Sequence, residues 1–347
     1  MRDRNAAYVG CDVGDKFTQL CAVDRTGAVI QARRVRTEKT ALLQALGKFR
    51  RARVVLEAGT HSRWVEEALS GAGHEVVVAN PRQIQLIWGR RKKTDRSDAM
   101  LLARLGRVDL SLVAPVHQRS RAAQTDLAVL RSRDLLVSVR TKLINHVRGL
   151  LKQFGIRVES CSTAAFARRA DESISADLRP ALEPVLEALR TVTDKIALHD
   201  QQVERLFDAS PPARRLMEID GVGPITSLAY TLTIEDPAKF KKSRVVASFL
   251  GLVPAKDQSG ESDPQKHISK AGNPFLRRLL VQCAQRVMGA FGPDCDLRRW
   301  GLGLCARGGS AAKKRAIVAV ARKLAVIMHR VWVTGRPYDP NFCLQPA

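Results

Sequence analysis

The first 118 residues alternate between short apolar runs and amphipathic stretches in an order that few folds accommodate. Three runs separated by tight turns, AAYVGCDV, TQLCAVD and VIQARRVRT, predict the strands of an antiparallel meander. They are followed by a helix, a strand, a helix, a strand and a helix, with ARVVLEAG and HEVVVANP as the later strands. A meander that continues into crossover units predicts a mixed sheet with helices packed on its faces. This element order fits a ribonuclease H-like α/β fold.

Strand signals are absent between residues 120 and 208, where apolar residues recur every three or four positions. One stripe contains Leu136, Val139, Leu143, Val147, Leu150 and Phe154. A second contains Leu182, Val185, Leu189, Val192, Ile196, His199, Val203 and Leu206. The two stripes predict long helices paired as an antiparallel coiled-coil arm or dimerisation element. At His199 a polar residue that sets the register is favoured over a metal ligand.

The last third of the chain predicts mostly helices, interrupted by the polar loop AKDQSGESDPQKHISKAGNP. Gly221-Val222-Gly223 lies between two helical patterns and is typical of a helix-hairpin-helix, whose amides can hold a phosphate, or of a plain helical corner. The sequence therefore predicts three parts. They are a ribonuclease H-like domain at 1–118, a helical coiled-coil arm at 119–209 and a mainly α C-terminal domain at 210–347.

The charge of the chain points to a polyanionic partner. Its 347 residues include 58 Lys and Arg against 34 Asp and Glu, a net charge of +24, while 45% of residues are hydrophobic. A folded protein with this excess favours nucleic acid as its partner, over a basic surface without one. No apolar run is long enough to span a membrane, and the N-terminus does not resemble a signal peptide. The seven cysteines form no CxxC pair, which predicts buried free thiols in a reducing cytoplasm.

Four carboxylates fall where a metal site can form. Asp12 ends the first strand and Glu57 the fourth, and these strands are neighbours in a ribonuclease H-like sheet. Asp95 and Asp98 are three residues apart, which places them on one face of a helix. Converging carboxylates repel unless divalent cations neutralise them, and hard oxygen ligands suit Mg²⁺ or Mn²⁺. Two such ions can activate a nucleophile and stabilise the leaving oxygen at a phosphodiester.

Each carboxylate also has an ordinary structural interpretation. Asp95 as N-cap with Asp98 at the third helical position is a capping pair, Asp12 is a turn residue, and Glu57 ends a strand. A helix cap alone does not explain the run of cations, Arg90, Arg91, Lys92 and Lys93, that precedes the two aspartates. The four carboxylates together, in this element order and beside this basic run, favour the metal site.

Several motifs resemble one family of mobile-element enzymes. YVGCDVGD, VVLEAGTHSRWVEEAL and KKTDRSDAMLLARL are similar to the RuvC-like domain of the DEDD insertion-sequence transposases. IDGVGPITSLAYTL, FLGLVPAKDQSG and HISKAGNPFLRRLLVQCA look like the C-terminal transposase domain of the same family. The resemblance covers nearly the whole chain, and the motifs occur in the expected order.

The resemblance implies a recombinase that uses a serine nucleophile with the metal site formed by Asp12, Glu57, Asp95 and Asp98. The matching serine is Ser259, and Ser262 is the neighbour in the same loop that can replace it. Family membership also implies a structured bridge RNA as guide, DNA as substrate, and a homo-oligomer, a dimer or a tetramer in the synaptic complex. The cations expected to contact nucleic acid are Arg90, Arg91, Lys92, Lys93, Lys266, Lys270, Arg277 and Arg278.

Three other functions compete with this interpretation. A junction resolvase or nuclease would use the same carboxylates with water as the nucleophile. An actin-like kinase or ATPase begins with a similar strand and Asp-x-Gly turn, but it needs a second glycine-rich phosphate loop that the sequence lacks. A non-catalytic nucleic-acid binder would have no use for the four carboxylates.

Overall fold

The structure is a computed structural model that describes residues 6–82, 84, 94–258, 262–264, 266–309 and 311–341. The chain divides into two compact units, one formed by residues 1–118 and the other by residues 119–347. The predicted division of the chain into three domains stays a prediction, since the arm and the C-terminal helices fall within one unit.

The first unit is built on a five-stranded mixed sheet. Its strands are β1 (Ala6–Val13), β2 (Phe17–Val23), β3 (Val29–Arg36), β4 (Arg51–Glu57) and β5 (Glu75–Ala79). Their order in the sheet is β3-β2-β1-β4-β5. The pairs β1–β2 and β2–β3 are antiparallel, and β4 runs parallel to β1 and to β5. The mixed sheet and its ribonuclease H-like strand order are thereby confirmed.

Helices cover both faces of this sheet. They are α1 (Lys39–Leu46), α2 (Ser62–Gly71) and α3 (Asp95–Val108), the last followed by a 3-10 turn at Leu110–Val113. Helices α1 and α2 pack on the face that contains Val9 and Val54. Helix α3 covers the opposite face through Leu102, which packs on Val55 in a separate cluster. Burial on both faces explains why β1 and β4 are almost continuously apolar.

Two long helices open the second unit. Helix α4 spans Arg121–Gln153 and α6 spans Arg179–Asp208, with the short α5 (Phe166–Asp171) between them. Leu127 near the start of α4 shares a core with Phe207 near the end of α6. Ile144 near the other end of α4 shares a second core with Leu182. The two predicted helices are therefore present and antiparallel, and their role in dimerisation stays a prediction.

The buried stripe of α4 differs from the predicted one. Ile144, Val147 and Leu151 form the core of its distal half, whereas Leu136 and Val139 are half-buried. Phe154 is 54% exposed because the helix ends at Gln153 and the chain turns there. On α6, His199 is half-buried and its Nδ1 lacks a hydrogen-bond partner among the described residues. The role of His199 in setting the register remains a prediction.

Within the residues that the structure describes, six further helices follow in the second unit. They are α7 (Pro211–Met217), α8 (Pro224–Ile234), α9 (Arg244–Phe249), α10 (Pro274–Met288), α11 (Asp296–Ala306) and α12 (Ala312–Thr334). Tyr230 of α8 is fully buried, and its hydroxyl donates a hydrogen bond of 2.7 Å to the Ala325 carbonyl of α12. Helix α11 escaped the sequence pattern because it contains two glycines. One of them, Gly301, is needed because a Cβ there would lie 2.6 Å from Val320 Cγ2.

The Gly-Val-Gly turn joins α7 to α8 in a tight corner. Gly221 has φ +80°, and a Cβ there would lie 2.5 Å from Val287 Cγ2 of α10. Val222 is buried, while Gly223 is the N-cap residue of α8. A packed corner accounts for these features, so phosphate binding by its amides stays a prediction. None of the described helices is both long enough and apolar enough to cross a membrane.

The six cysteines within the described residues are all free thiols. Cys11, Cys21, Cys283 and Cys295 are buried, as predicted, but Cys161 and Cys305 are partly exposed. Cys161 lies in the connection between α4 and α5, and Cys305 lies in the last turn of α11.

Candidate active site

Strand register brings Asp12 and Glu57 to the same edge of the sheet. Cys11 of β1 is aligned with Leu56 of the parallel β4, so the next residues, Asp12 and Glu57, end neighbouring strands side by side. Residues aligned on adjacent parallel strands point to the same face. Gly10 and Val55, two residues earlier on each strand, contact α3. Asp12 and Glu57 are therefore on the face that α3 covers.

Helix α3 lies so close to β1 that the strand has no room for a side chain at Gly10. A Cβ on Gly10 would lie 1.9 Å from the Ala99 carbonyl oxygen and 2.5 Å from the Ala103 nitrogen. Asp98 precedes Ala99 and is only 7% exposed, whereas Asp95, one turn earlier, is exposed. The close contact places the first turns of α3 beside the carboxyl end of β1. The fold thus brings the elements that hold all four predicted carboxylates to one edge of the sheet.

The interpretation of Asp95 and Asp98 as the capping pair of α3 is wrong, because two other residues form the cap. The N-cap of α3 is Thr94, whose Oγ1 accepts a hydrogen bond of 3.2 Å from the Ser97 backbone N–H. Ser97 Oγ is 3.2 Å from the Thr94 N–H in return, which completes a capping box. Ser97 Oγ also donates to Asp98 Oδ1. Capping therefore belongs to Thr94 and Ser97, and neither aspartate is needed for it.

The donor set fits a hard divalent cation in its chemistry. Carboxylate oxygens at the ends of adjacent strands and in the first turns of a helix are the ligands that Mg²⁺ and Mn²⁺ prefer. Among the described residues, no group of three or more Asp, Glu, His or Cys side chains converges closely enough to hold a metal ion. The ligand set Asp12, Glu57, Asp95 and Asp98 stays a prediction.

Cys11 lies next to Asp12 and does not supply a thiolate. Burial, and to a smaller extent the negative charge of Asp12, raises the pKa of the Cys11 thiol to about 12. A thiol with this pKa is protonated at neutral pH, and the protonated form is neither a good nucleophile nor a metal ligand. The chemistry at this edge of the sheet therefore rests on oxygen donors.

A histidine beside these strands has a fixed orientation. Trp64 Nε1 donates a hydrogen bond of 3.0 Å to His61 Nδ1, so the ring proton of His61 is on Nε2. His61 Nε2 is 3.3 Å from Asp15 Oδ1, three residues beyond Asp12. This arrangement is not predictable from the sequence, because an isolated His in a strand-to-helix turn has no characteristic spacing from other residues.

Ser259 lies outside the described residues, together with Gly260 and Glu261, while Ser262 is exposed. The stem of their loop is well defined. Pro254 and Ile268 form an antiparallel bridge, flanked by hydrogen bonds of 2.9 Å from Ala255 N–H to the His267 carbonyl and 2.8 Å from Ser269 N–H to the Val253 carbonyl. The predicted polar loop is thus held at its base by a two-stranded ladder.

Two glycines hold this stem against the preceding helix. Gly251 has φ +67° and Gly272 has φ +74°, and a Cβ on Gly272 would lie 2.0 Å from the Phe249 carbonyl oxygen. Asn273 then caps α10, its Oδ1 accepting hydrogen bonds from the Phe275 and Leu276 amides. The motifs FLGLVP and SKAGNP therefore form one packed unit at the base of the serine loop.

The cations predicted to bind nucleic acid have diverse surroundings. Arg90, Arg91, Lys92 and Lys93 lie outside the described residues. Arg277 Nη1 donates to the carbonyls of Leu250 and Ala271, at 3.0 and 2.8 Å, and so supports the stem. Arg278 forms an ion pair with Asp134, and Lys266 forms one with Asp257. Lys270 is exposed and has φ +53°. Binding of nucleic acid by these residues stays a prediction.

Comparison with known proteins agrees with this arrangement. A model of the DEDD domain of IS110-type transposases matches residues 9–156, and a model described as "Transposase IS116/IS110/IS902 family" matches residues 213–297. The transposase for insertion sequence element IS1111A of Coxiella burnetii is 30% identical over 340 residues, covering 94% of this chain and 89% of that protein. The chain belongs to the IS110/IS116/IS902 transposase family.

Other relatives of this transposase extend the comparison. A probable family 20 transposase of Pseudomonas aeruginosa is 28% identical over 97% of this chain and 100% of its own length. A pilin gene-inverting protein of Moraxella lacunata is 28% identical over 77% of this chain and 75% of its own length. A transposase transfers DNA phosphoryl groups, so the chain is an enzyme and DNA is its substrate. The actin-like kinase and the non-catalytic binder are excluded.

Proposed function

We propose that this transposase cuts and rejoins DNA strands with a divalent-metal site formed by Asp12, Glu57, Asp95 and Asp98. Ser259 is the nucleophile in this proposal. The observation that carries the metal site is the capping box of Thr94 and Ser97. Because these two residues cap α3, neither aspartate in its first turns is required for the cap. The contact of Ala99 with Gly10 supports it further by bringing α3 to the end of β1.

The residues of the chain have distinct tasks in this reaction. Asp12 and Glu57 are fixed by the register of two rigid strands, and a divalent cation held there would lower the pKa of a hydroxyl and offset phosphate charge. Ser259 Oγ attacks phosphorus, a bond from Oγ to phosphorus forms, and the bond to the leaving strand oxygen breaks. The leaving oxygen accepts a proton. The phosphoserine link conserves the phosphodiester, so rejoining needs no ATP.

Guidance by a bridge RNA and assembly into a dimer or tetramer belong to the same proposal. The net charge of +24 supports a second polyanion besides DNA. Target choice would then rest mainly on base pairing, while the protein recognises shape and backbone. Ser259 and the metal carboxylates are far apart in the sequence, and oligomer formation offers one way to bring them together. The reaction takes place in the cytoplasm at the nucleoid.

The decisive experiment is a search for a covalent adduct. The transposase, DNA of the element ends, the flanking RNA and Mg²⁺ are mixed and then denatured. We expect a protein–DNA adduct that maps to the peptide DQSGESD, is absent in Ser259→Ala, and is absent when EDTA replaces Mg²⁺. Ser262→Ala is the matched control in the same loop and should keep the adduct.

The alternative is a resolvase-type reaction with water as nucleophile. Its signature is strand cleavage that gives free 3′-hydroxyl and 5′-phosphate ends without an adduct and that persists in Ser259→Ala. That result would refute the serine mechanism while leaving the metal site intact. Guidance by RNA is tested separately by omitting the RNA or replacing it with one of scrambled sequence, and undiminished adduct formation at the same DNA site would refute it.

A further inference from the structure

A basic cavity lies at the distal end of the long helix pair, where α4 ends. It has a volume of about 750 Å³ and is lined by Arg148, Lys152, Gly155, Ile156, Arg157 and Val158. None of these residues belongs to the DEDD site or to the serine loop. Two of the three cations are on the last turns of α4, and the third is on the segment that follows the helix.

The backbone that forms this cavity is held in one conformation. Ile156 N–H donates to the Leu151 carbonyl at 3.0 Å, and Gly155 N–H donates to the Lys152 carbonyl at 3.1 Å. With Gly155 at φ +74°, these bonds form a Schellman motif that closes the helix. Ile156 packs on the same core as Leu151, which is the hydrophobic contact typical of this motif. The turn therefore fixes the direction in which the chain leaves toward Arg157.

The three cations of this cavity have no acidic partner. Among the described residues, no ion pair involves Arg148, Lys152 or Arg157. The guanidinium of Arg148 is 4.8 Å from the ring centroid of the buried Phe166, which orients it without neutralising it. Guanidinium groups oriented in this way keep their N–H donors available for an anion.

Nearby arginines differ from these three in being paired. Arg179 and Arg190 both contact Asp171 and Glu183, and Arg168 contacts Glu172. Asp171, Glu172 and Glu183 are therefore engaged with other cations and not with the three cations of the cavity.

The local charge exceeds what the helix itself requires. The end of a helix carries about half a negative charge, so one cation such as Lys152 is enough to offset it. Residues 140–170 contain seven Lys and Arg against one acidic residue, Glu159. The exposed Asn145 is one turn before Arg148 and adds an amide donor on the same side of α4. The surplus of hydrogen-bond donors and positive charge favours binding of an anion from outside the chain.

We propose that this cavity binds the phosphodiester backbone of a nucleic acid. Three cations around one cavity can engage consecutive phosphates, with the arginines bonding in pairs and Lys152 acting as a point charge. Such contacts recognise the backbone and not the base sequence. The helix pair is thereby a nucleic-acid-binding element in addition to any role in oligomer formation. The inference uses only the family's need for nucleic acid and is independent of the metal site and of Ser259.

The test measures the salt dependence of binding in EDTA, so that the metal site plays no part. The triple variant Arg148→Gln, Lys152→Gln, Arg157→Gln is compared with Arg121→Gln, Lys195→Gln, Arg205→Gln. The control removes the same charge from exposed positions of the same helix pair, outside the cavity. Fluorescence anisotropy is recorded with a DNA duplex and with an RNA hairpin, each of about 30 base pairs, between about 50 and 300 mM KCl.

We expect the cavity variant to reduce the slope of log K against log salt concentration by about 2 to 3, and the control to reduce it by less than one. A reduction with the duplex identifies DNA as the source of the phosphates, and a reduction with the hairpin identifies RNA. Unchanged slopes with both probes, or equal reductions in both variants, would overturn the proposal.

The single variant Arg157→Gln guards against misfolding of the triple variant. Its position after the end of α4 makes it the mildest of the three changes. It should lower the slope by about one with the same probe, because one phosphate contact is lost. Thermal unfolding of every variant confirms that the fold is intact before binding is compared.

Discussion

The carboxylate edge of the sheet and the stem of the serine loop are both positioned by close contacts at glycines, but the contacts are of two different kinds. At the sheet edge, Gly10 of β1 lets α3 lie directly on the strand, and both partners are regular elements. At the stem, Gly251 and Gly272 let two loop segments touch, and both have positive φ. The first site is positioned by hydrogen-bond register, which tolerates many side chains. The second is positioned by backbone conformations that only glycine adopts without strain.

Substitutions in the two regions are expected to have different consequences. In the proposed mechanism, substitution of a carboxylate at the sheet edge removes a metal ligand and leaves the strand register intact. Substitution of a glycine in the stem moves the loop and leaves the serine itself intact. Variants in the two regions should therefore differ in whether activity or stability changes first.

The largest effect is expected from Asp98→Asn. It should reduce strand cleavage by about a thousandfold or more, because a metal ligand supplies several kcal/mol of transition-state stabilisation. The free energy of unfolding should change little, since Ser97 and Thr94 keep the cap. Cleavage of element-end DNA in Mg²⁺ and urea unfolding are the two measurements.

Thr94→Ala is the matched control for that variant, one turn away on the same helix. It should cost about 1 kcal/mol of stability through the lost cap and retain cleavage when the protein is folded. An active Asp98→Asn enzyme would remove Asp98 from the metal site.

The next effect concerns the close contacts on glycine. Gly10→Ala should destabilise the first unit by about 3 kcal/mol, because the Ala99 carbonyl is backbone and has no way to move aside. Gly73→Ala is the control, since Gly73 has φ +87° but open space around it, and it should cost about 1 kcal/mol. Urea unfolding of the two variants compares them, and equal losses would mean that α3 does not need the bare strand.

Gly272→Ala sharpens the comparison from the side of the loop. The new Cβ would lie 2.0 Å from the Phe249 carbonyl oxygen, at a residue with φ +74°, so the stem has to open. Adduct formation at Ser259 should fall more steeply than stability does. A variant that keeps full adduct formation would show that the stem does not position the serine.

Much of the first unit was predictable, because its signals are periodic and local. The strand order followed from a meander and crossover units, and the pairing of β1 with β4 set Asp12 beside Glu57. The alternative interpretation, in which Asp95 is the N-cap of α3, arises because acidic and hydroxyl side chains serve almost equally well as N-caps. The structure places the N-cap one residue earlier, at Thr94.

The stem of the serine loop was less accessible to sequence reasoning. Its glycines contact residues on the far side of the loop, and such pairings have no spacing in the sequence. The positive charge of Arg277 is evident from the sequence, whereas its contacts with the Leu250 and Ala271 carbonyls are evident only from the structure. Only the family resemblance identified the motifs, and it did not explain them.

Arg277 and Lys266 provide a smaller test, which separates cations that stabilise the stem from cations that bind nucleic acid. Arg277→Met should cost about 2 kcal/mol of stability, because two carbonyls lose a charged donor, and should leave the salt dependence of DNA binding unchanged. Lys266→Gln should do the reverse and lower the salt slope by about one at no cost in stability. A lower slope in Arg277→Met would restore Arg277 to the nucleic-acid-binding residues.

The smallest effect is a pH dependence that compares the two cores. Burial raises the pKa of Cys11 in the first unit and of Cys283 in the second above the usual range of a thiol. A raised folded-state pKa gives stability that is present below pH 9 and lost as the pH rises through the folded value, which is about 12 for Cys11. Stability should therefore decline by about 1 kcal/mol by pH 10.

Thiol labelling at pH 8 gives the direct measurement. Iodoacetamide should modify the partly exposed Cys161 and Cys305 in the native protein and spare Cys11 and Cys283 until the chain unfolds. Early modification of Cys11 would mean that the first core opens more readily than its packing suggests.

The length of α4 sets the distance between the C-terminal core and the basic cavity. A helix of 33 residues is about 50 Å long at 1.5 Å per residue. Duplex DNA rises about 3.4 Å per base pair, so the helix matches roughly 15 base pairs, or one and a half turns. Its first turns pack into the C-terminal core and its last turns carry the basic cavity. If the cavity binds nucleic acid as proposed, the helix holds that contact at a fixed distance from the C-terminal core, and inserting one heptad into both α4 and α6 should shift a footprint at its end by about three base pairs.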